Sequence, residues 1–226
     1  MRNLRLTTLA LTFALLTMAG CTSSDEKPDR TLDESRPCEK LLGREGKAWL
    51  KEHNAVSKVH PKTSEKISYA RAEFRRLATT EKHYLVDEQS ISGSSMCRAW
   101  DPERGVGYDL MLDYSAIKQP FDKYPDVDGS LSSATLGRDV KIAYRESRHL
   151  DKRRYFINVR CGIPGASASQ LNDITLEGWM SDALTNNSSY HAHFELLLHS
   201  AKVMTDAFKC TNNPQIPTTL PSSIKD

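Results

Sequence analysis

What this chain of 226 residues lacks narrows its chemistry first. No Gly-x-Ser-x-Gly stretch occurs, so the nucleophile elbow that exposes a catalytic serine above a sheet is missing. No Cys-x-x-Cys pair occurs, and cysteine spacings of about 50 to 60 residues do not resemble a zinc module. Gly105-Val106-Gly107 is short of the third glycine and the following helix that a phosphate-cradling loop needs. Asp126-Val127-Asp128-Gly129 opens like a calcium loop, but the full pattern needs a ligand at Tyr124 and a bidentate Glu at Thr135, and both fail. The first apolar run, Leu6 to Leu16, is broken by threonines and falls short of the about 20 apolar residues of a spanning helix.

That run nevertheless has a pattern. Arg2 and Arg5 precede it, and Ala19-Gly20 supplies small residues just before Cys21, which is the layout of a secretory signal. Two competing readings are an ordinary cleaved signal with Cys21 left as a disulfide partner, and an uncleaved amphipathic anchor. The stretch Leu16-Thr17-Met18-Ala19-Gly20-Cys21 resembles the lipobox of bacterial lipoproteins, with Met18 where that class most often has Leu, Val or Ile. The resemblance covers residues 1–21 only. It implies cleavage before Cys21, a diacylglyceryl group on its sulfur, and attachment to the outer face of the bacterial cell membrane. Each buried CH₂ would contribute about 0.8 kcal/mol to such an anchor, and two or more chains hold where one does not.

Charge offers no partner. The formal net charge of +2 belongs to Arg2 and Arg5; without residues 1–20, 29 basic residues face 29 acids, so no field argues for nucleic acid. Locally the balance shifts. Residues 138–154 hold seven Lys/Arg against three acids, and residues 101–128 hold seven acids against three bases. These stretches are either binding patches of each sign or two faces that complement one another across the fold.

Beyond residues 1–20, residues 21–36 read as a disordered tether in which acids outnumber bases and Leu32 is the single large apolar residue. Residues 37–213 read as one globular α+β domain and residues 214–226, with their prolines, as an extended tail. Pro37-Cys38 opens a helical stretch weakened by Gly43 and Gly46. Ile67, Ala70, Phe74 and Leu77 recur at helical spacing. Three strands follow by alternation: around Leu110–Ala116, with Asp109, Asp113 and Ser115 on the opposite, solvent-facing side; around Val140–Tyr144; and around Tyr155–Ile163. A short strand-like run surrounds Cys97, after a loop at Ser92–Ser95. Residues 119–138 read as a long loop or internal junction, and residues 171–184 stay ambiguous. Ser188 or Ser189 caps a last helix whose core stripe is Phe194, Leu197, Leu198, Ala201, Met204 and Phe208. This order predicts a mostly antiparallel sheet with N-terminal helices and a C-terminal helix packed on it.

An odd cysteine count of five is resolved if Cys21 becomes a thioether, leaving Cys38, Cys97, Cys161 and Cys210 to pair. Cys38–Cys97 and Cys161–Cys210 each pin a helix end to a strand and are the expected pairing. His191, His193 and His199 look like metal ligands, but on a helix His191 and His193 point about 200° apart. Trp49, Trp100 and Trp179 read as core or rim, with an exposed Trp100 beside Asp101 the one arrangement that would suggest a sugar platform. The lipidated cysteine, polar tether and Pro-Cys-x-x-Leu-Leu opening of a four-cysteine domain also resemble uncharacterised actinobacterial lipoproteins, a likeness that implies no activity.

The expected function is a non-enzymatic envelope lipoprotein that binds a partner protein, wall component or small ligand, without cofactor, metal or nucleic acid. The alternative is a lipid-anchored hydrolase whose site assembles only in the fold. Intact mass of the native protein is expected to show loss of residues 1–20, gain of acyl chains and loss of four thiol hydrogens. An uncleaved or unacylated mass overturns the address.

Overall fold

The Pro37 φ constraint opens the first helix, because proline fits a first helical turn, where its missing N–H costs nothing. A computed structural model describes residues 37–53, 60–62, 66–79, 91–105, 107–124, 132–146 and 153–224, which lie within one compact unit, residues 32–226. The expected signal (residues 1–20), Cys21, the expected tether (residues 21–36) and Asp126–Gly129 lie outside the described residues.

Among the described residues four helices, α1 (Pro37–His53), α2 (Ile67–Thr79), α3 (Gln170–Asp173) and α4 (Tyr190–Phe208), accompany seven strands. The strands are β1 (His60–Lys62), β2 (Ile91–Trp100), β3 (Asp109–Ile117), β4 (Ser132–Thr135), β5 (Val140–Glu146), β6 (Arg153–Val159) and β7 (Thr175–Asp182). They form one antiparallel sheet in the order β1-β2-β3-β7-β6-β5-β4. The α+β class, the helices at the start, the last helix packed on the sheet and both disulfides agree with the expectation.

One sheet face is the core. Leu110, Leu112, Tyr114 and Ala116 of β3 share it with Leu176 and Met180 of β7 and with Tyr155, Ile157 and Val159 of β6, all buried. α4 covers this face. Its stripe Phe194, Leu197, Leu198, Ala201, Met204 and Phe208 is buried throughout, each large side chain contributing about 2 kcal/mol relative to exposure. Ser189 caps the helix by accepting from the Ala192 N–H at 3.2 Å, and Lys209 ends it in a left-handed conformation (φ 56°).

The ambiguous run 171–184 holds the central strand. β7 is covered on both faces, with Thr175 and Ser181 buried on one and Leu176 and Met180 on the other, so the alternation that marks a half-buried strand is blurred. Gly178 disguises it further. It lies between Tyr114 and Ile157, and a Cβ there would meet the Tyr114 ring at 2.5 Å. The missing side chain admits that ring, whose hydroxyl donates across the core to Ser200 Oγ of α4 at 2.6 Å, while Ser200 donates to the Leu197 carbonyl.

Other expectations change too. Residues 119–138 contain a 3₁₀ turn (Phe121–Lys123) and the edge strand β4, and Ser92–Ser95 belongs to β2 rather than a loop. Asp109, Asp113 and Ser115 are not solvent-facing: they are 4%, 8% and 6% exposed, because the outer face of the sheet is covered as well. There Phe121 is buried, and Ile117, Tyr124, Ala143 and Phe156 form a second small cluster.

Cys38–Cys97 joins the start of α1 to β2, and Cys161–Cys210 joins the end of β6 to the end of α4. The second is braced: Thr211 N–H donates to the Gly162 carbonyl, Asn212 spans Gly162 and Arg160, and buried Gln170 bridges Cys161, Ile163 and Ile174. Gly178→Ala is expected to destabilise the domain by about 1–3 kcal/mol through overpacking against Tyr114. Urea titration measures the loss, and Gly178→Ala combined with Tyr114→Leu, which vacates the ring, recovers part of it.

Candidate functional site

Glycine also shapes the outside of the helical layer. Gly43, at φ 64°, interrupts α1 with a kink, and a Cβ there would meet the His199 ring of α4 at 2.6 Å. At Gly46 a Cβ would meet Leu196 at 2.5 Å. The two glycines that weaken α1 as a helix therefore let it lie close against α4. His199 Nε2 bonds the Lys40 carbonyl across the same contact at 3.1 Å.

Beside this crossing a groove of about 500 Å³ opens between α1, α4 and residues 217–219. Leu42, Trp49, Leu196 and Leu198 give it apolar walls, and Arg44 and Lys202 are matched in its lining by Glu45 and Glu195. The Trp49 indole N–H is buried and has no hydrogen-bond partner among the described residues. An indole N–H can only donate, so only an acceptor could satisfy it.

Trp49 also touches a polar centre beneath the groove. Its ring meets His193 edge-on, with centroids 5.1 Å apart, and Tyr155 of β6 stacks on His193 at 4.4 Å. His193 Nε2 meets Asp182 Oδ2 at 2.8 Å, and its Nδ1 meets the Ser189 carbonyl at 2.6 Å. Asp182 accepts in addition from the Leu184 and Thr185 N–H groups and the Thr185 hydroxyl. Burial alone would raise the Asp182 carboxyl, but the bonds from His193 and Thr185 outweigh it and hold it below the usual carboxylate range. Both imidazole nitrogens are committed to acceptors, so neither is left to take a proton from a nucleophile.

The histidines thus separate as the helical spacing predicts. His193 is 1% exposed inside the core, while His191 Nε2 reaches the Ile224 carbonyl and His199 faces α1. Among the described residues no group of three His, Cys, Asp or Glu side chains is placed to hold a metal ion. The four domain cysteines are in disulfides. Trp49, Trp100 and Trp179 are all half-buried. Lys141, from the basic stretch, donates to the backbone carbonyls of Asp122 and Tyr124, and the Asp122 carboxylate itself pairs with Arg160.

Sequence reasoning missed a second titratable centre on the outer sheet face. Glu177 of β7 stands in one cross-strand row with Ser115 and Asn158. Burial pushes its carboxyl up to about 7, partly offset by the Tyr124 hydroxyl, which faces it outside strict hydrogen-bond geometry. Asn158 donates to Thr175 Oγ1 at 2.7 Å in the same layer. A lone Glu inside an unrecognised strand gave no signal of this burial.

No protein-family model, curated protein or solved structure matches the chain.

Because the folded carboxyl of Glu177 titrates above its unfolded value of 4.5, it favours the fold fully below that value and is lost as pH rises to about 7. Glu177→Gln is expected to gain about 2 kcal/mol relative to the parent between pH 4.5 and pH 8. Parallel urea titrations across that range test it, and a constant difference refutes it.

Proposed function

We propose that the protein is a lipid-anchored binding protein of the bacterial cell envelope, held at Cys21 and taking a small amphipathic ligand into the groove between α1 and α4. Leu16–Cys21 supports the address. The groove supports the activity and carries the reading: its volume lies within the range of small-molecule sites, and its walls combine apolar surface with a few convergent polar groups. Leu42, Leu196 and Leu198 suit an apolar body. The buried Trp49 N–H calls for an acceptor, and Arg44, exposed in the lining, can donate to one that carries negative charge, whereas Lys202 is paired with Asp206. A flat protein-binding face has less support, since only Tyr69 and Tyr108 stand out as large exposed hydrophobic side chains among the described residues. The hydrolase alternative gains nothing from the buried His193–Asp182 pair, whose nitrogens are already used.

The probe 1-anilinonaphthalene-8-sulfonate combines an aromatic body with an anionic acceptor. It is expected to bind the native protein at one saturable site, with energy transfer from tryptophan. Ala192→Trp, which fills the groove from α4, is expected to weaken binding at least about tenfold, equivalent to roughly 1.4 kcal/mol. Arg44→Glu weakens it and flattens or reverses its fall with added salt, because the attraction that salt screens is gone. Saturable binding that ignores both substitutions, or no saturable binding at all, overturns the reading.

A further inference from the structure

A second cavity, of about 410 Å³, lies away from the groove on the outer face of the sheet, where β2 turns into β3. Its wall comes from both ends of that turn: Arg98, Trp100 and Asp101 on the leaving strand, Tyr108 and Asp109 on the returning one. Register explains the grouping. Cys97 and Ala99 point into the core, so Arg98 and Trp100 take the outer face, and Trp100 pairs directly with Asp109. Gly105 and Gly107, with φ of 85° and 100°, bring no side chain of their own into the cavity.

Two aromatic side chains flank this space. Tyr108 is 43% exposed, one of two large hydrophobic side chains that the described surface leaves open, and Trp100 is half-buried. Tyr108 is held in place: the Arg104 guanidinium lies 4.3 Å over its ring and donates to the Leu184 carbonyl at 3.1 Å. Arg98 is committed to Asp109, Nε to Oδ2, at 2.6 Å. Asp101 is different. It is fully buried, its Oδ1 accepts from the Glu103 N–H at 2.8 Å, and its Oδ2 has no hydrogen-bond partner among the described residues. A buried carboxylate oxygen without a donor leaves its lost hydration uncompensated, so a donor brought by a ligand would be strongly favoured.

We infer that this cavity is a saccharide subsite, in which one sugar ring rests against Trp100 and Tyr108 and a ring hydroxyl donates to the Asp101 carboxylate. A pyranose matches each feature. Its C–H face is apolar and lies flat on aromatic rings, and its edge carries neutral hydroxyl donors. The Arg98–Asp109 pair can accept from and donate to neighbouring hydroxyls without a change in charge. Phosphate-bearing ligands fit poorly, because the uncommitted group in the wall is an acceptor with negative charge. The site does not depend on the groove or on the anchor.

The test uses the full chain in detergent, titrated with chitotetraose, cellotetraose and maltotetraose while tryptophan fluorescence and calorimetric heat are recorded. At least one oligosaccharide is expected to bind saturably, and Tyr108→Ala, at an exposed position, is expected to weaken it about tenfold. Trp100→Leu is expected to abolish the fluorescence change, and Asp101→Asn to weaken binding while keeping the turn acceptor. The inference is overturned if none of the three binds up to roughly 10 mM, a free energy near 3 kcal/mol. It is also overturned if Tyr108→Ala binds unchanged, or if tetramethylammonium chloride displaces the sugar, which would mark the cavity as a cation site. The groove probe of the preceding section is unaffected by Tyr108→Ala in either case.

Discussion

The bond between Asp182 and His193 is the junction on which the helical layer is set. It joins the last residue of the central strand to the first turn of α4, where a small change of angle would swing 19 helical residues across the core. Burying a charged carboxylate is costly, and the arrangement meets that cost with several donors to one side chain. Tyr155 and Trp49 then pack on the imidazole from β6 and α1, so four elements meet on one ring. The groove wall made by Trp49 inherits its position from this centre.

Close approach is the second constraint. Gly178 makes room for Tyr114 inside the sheet layer, and Gly43 with Gly46 bring α1 against α4. In each case a missing side chain fixes a distance between layers. Glycine lowers local propensity by up to about 1 kcal/mol, so these positions trade local stability for tertiary contact. The disulfides work at the same joints from outside, one at the start of α1 and one at the end of α4. The outer sheet face is more polar: Ser115, Glu177 and Asn158 share a row there, and Phe121 and Tyr124 are buried in the segment that follows β3.

The legible parts of this fold were those with a local period. Phe194 to Phe208 recur at helical spacing because α4 packs one long stripe on the sheet, and Leu110 to Ala116 alternate because β3 offers one apolar face. β7 was not legible: it is covered on both faces, so polar Thr175 and Ser181 are buried like Leu176 and Met180, and Gly178 breaks its alternation for the sake of Tyr114. The same holds for the candidate sites. Trp100 beside Asp101 was visible as a pair, but Tyr108 and Asp109 joined them only through strand register. Leu42 and Trp49 meet Leu196 and Leu198 only because two helices remote in sequence cross.

By itself the sequence determined the α+β class, the capped last helix with its buried stripe, and a cysteine set whose spacing suits two long-range bridges. Each is written in neighbouring residues or in a count. Tertiary structure alone decided the central strand, the burial of Asp109 and Asp113, the partial burial of Glu177, and the use of His193 as a lock instead of a ligand. Those outcomes depend on which surfaces are brought together out of water, and desolvation belongs to the folded neighbourhood of a residue rather than to its place along the chain.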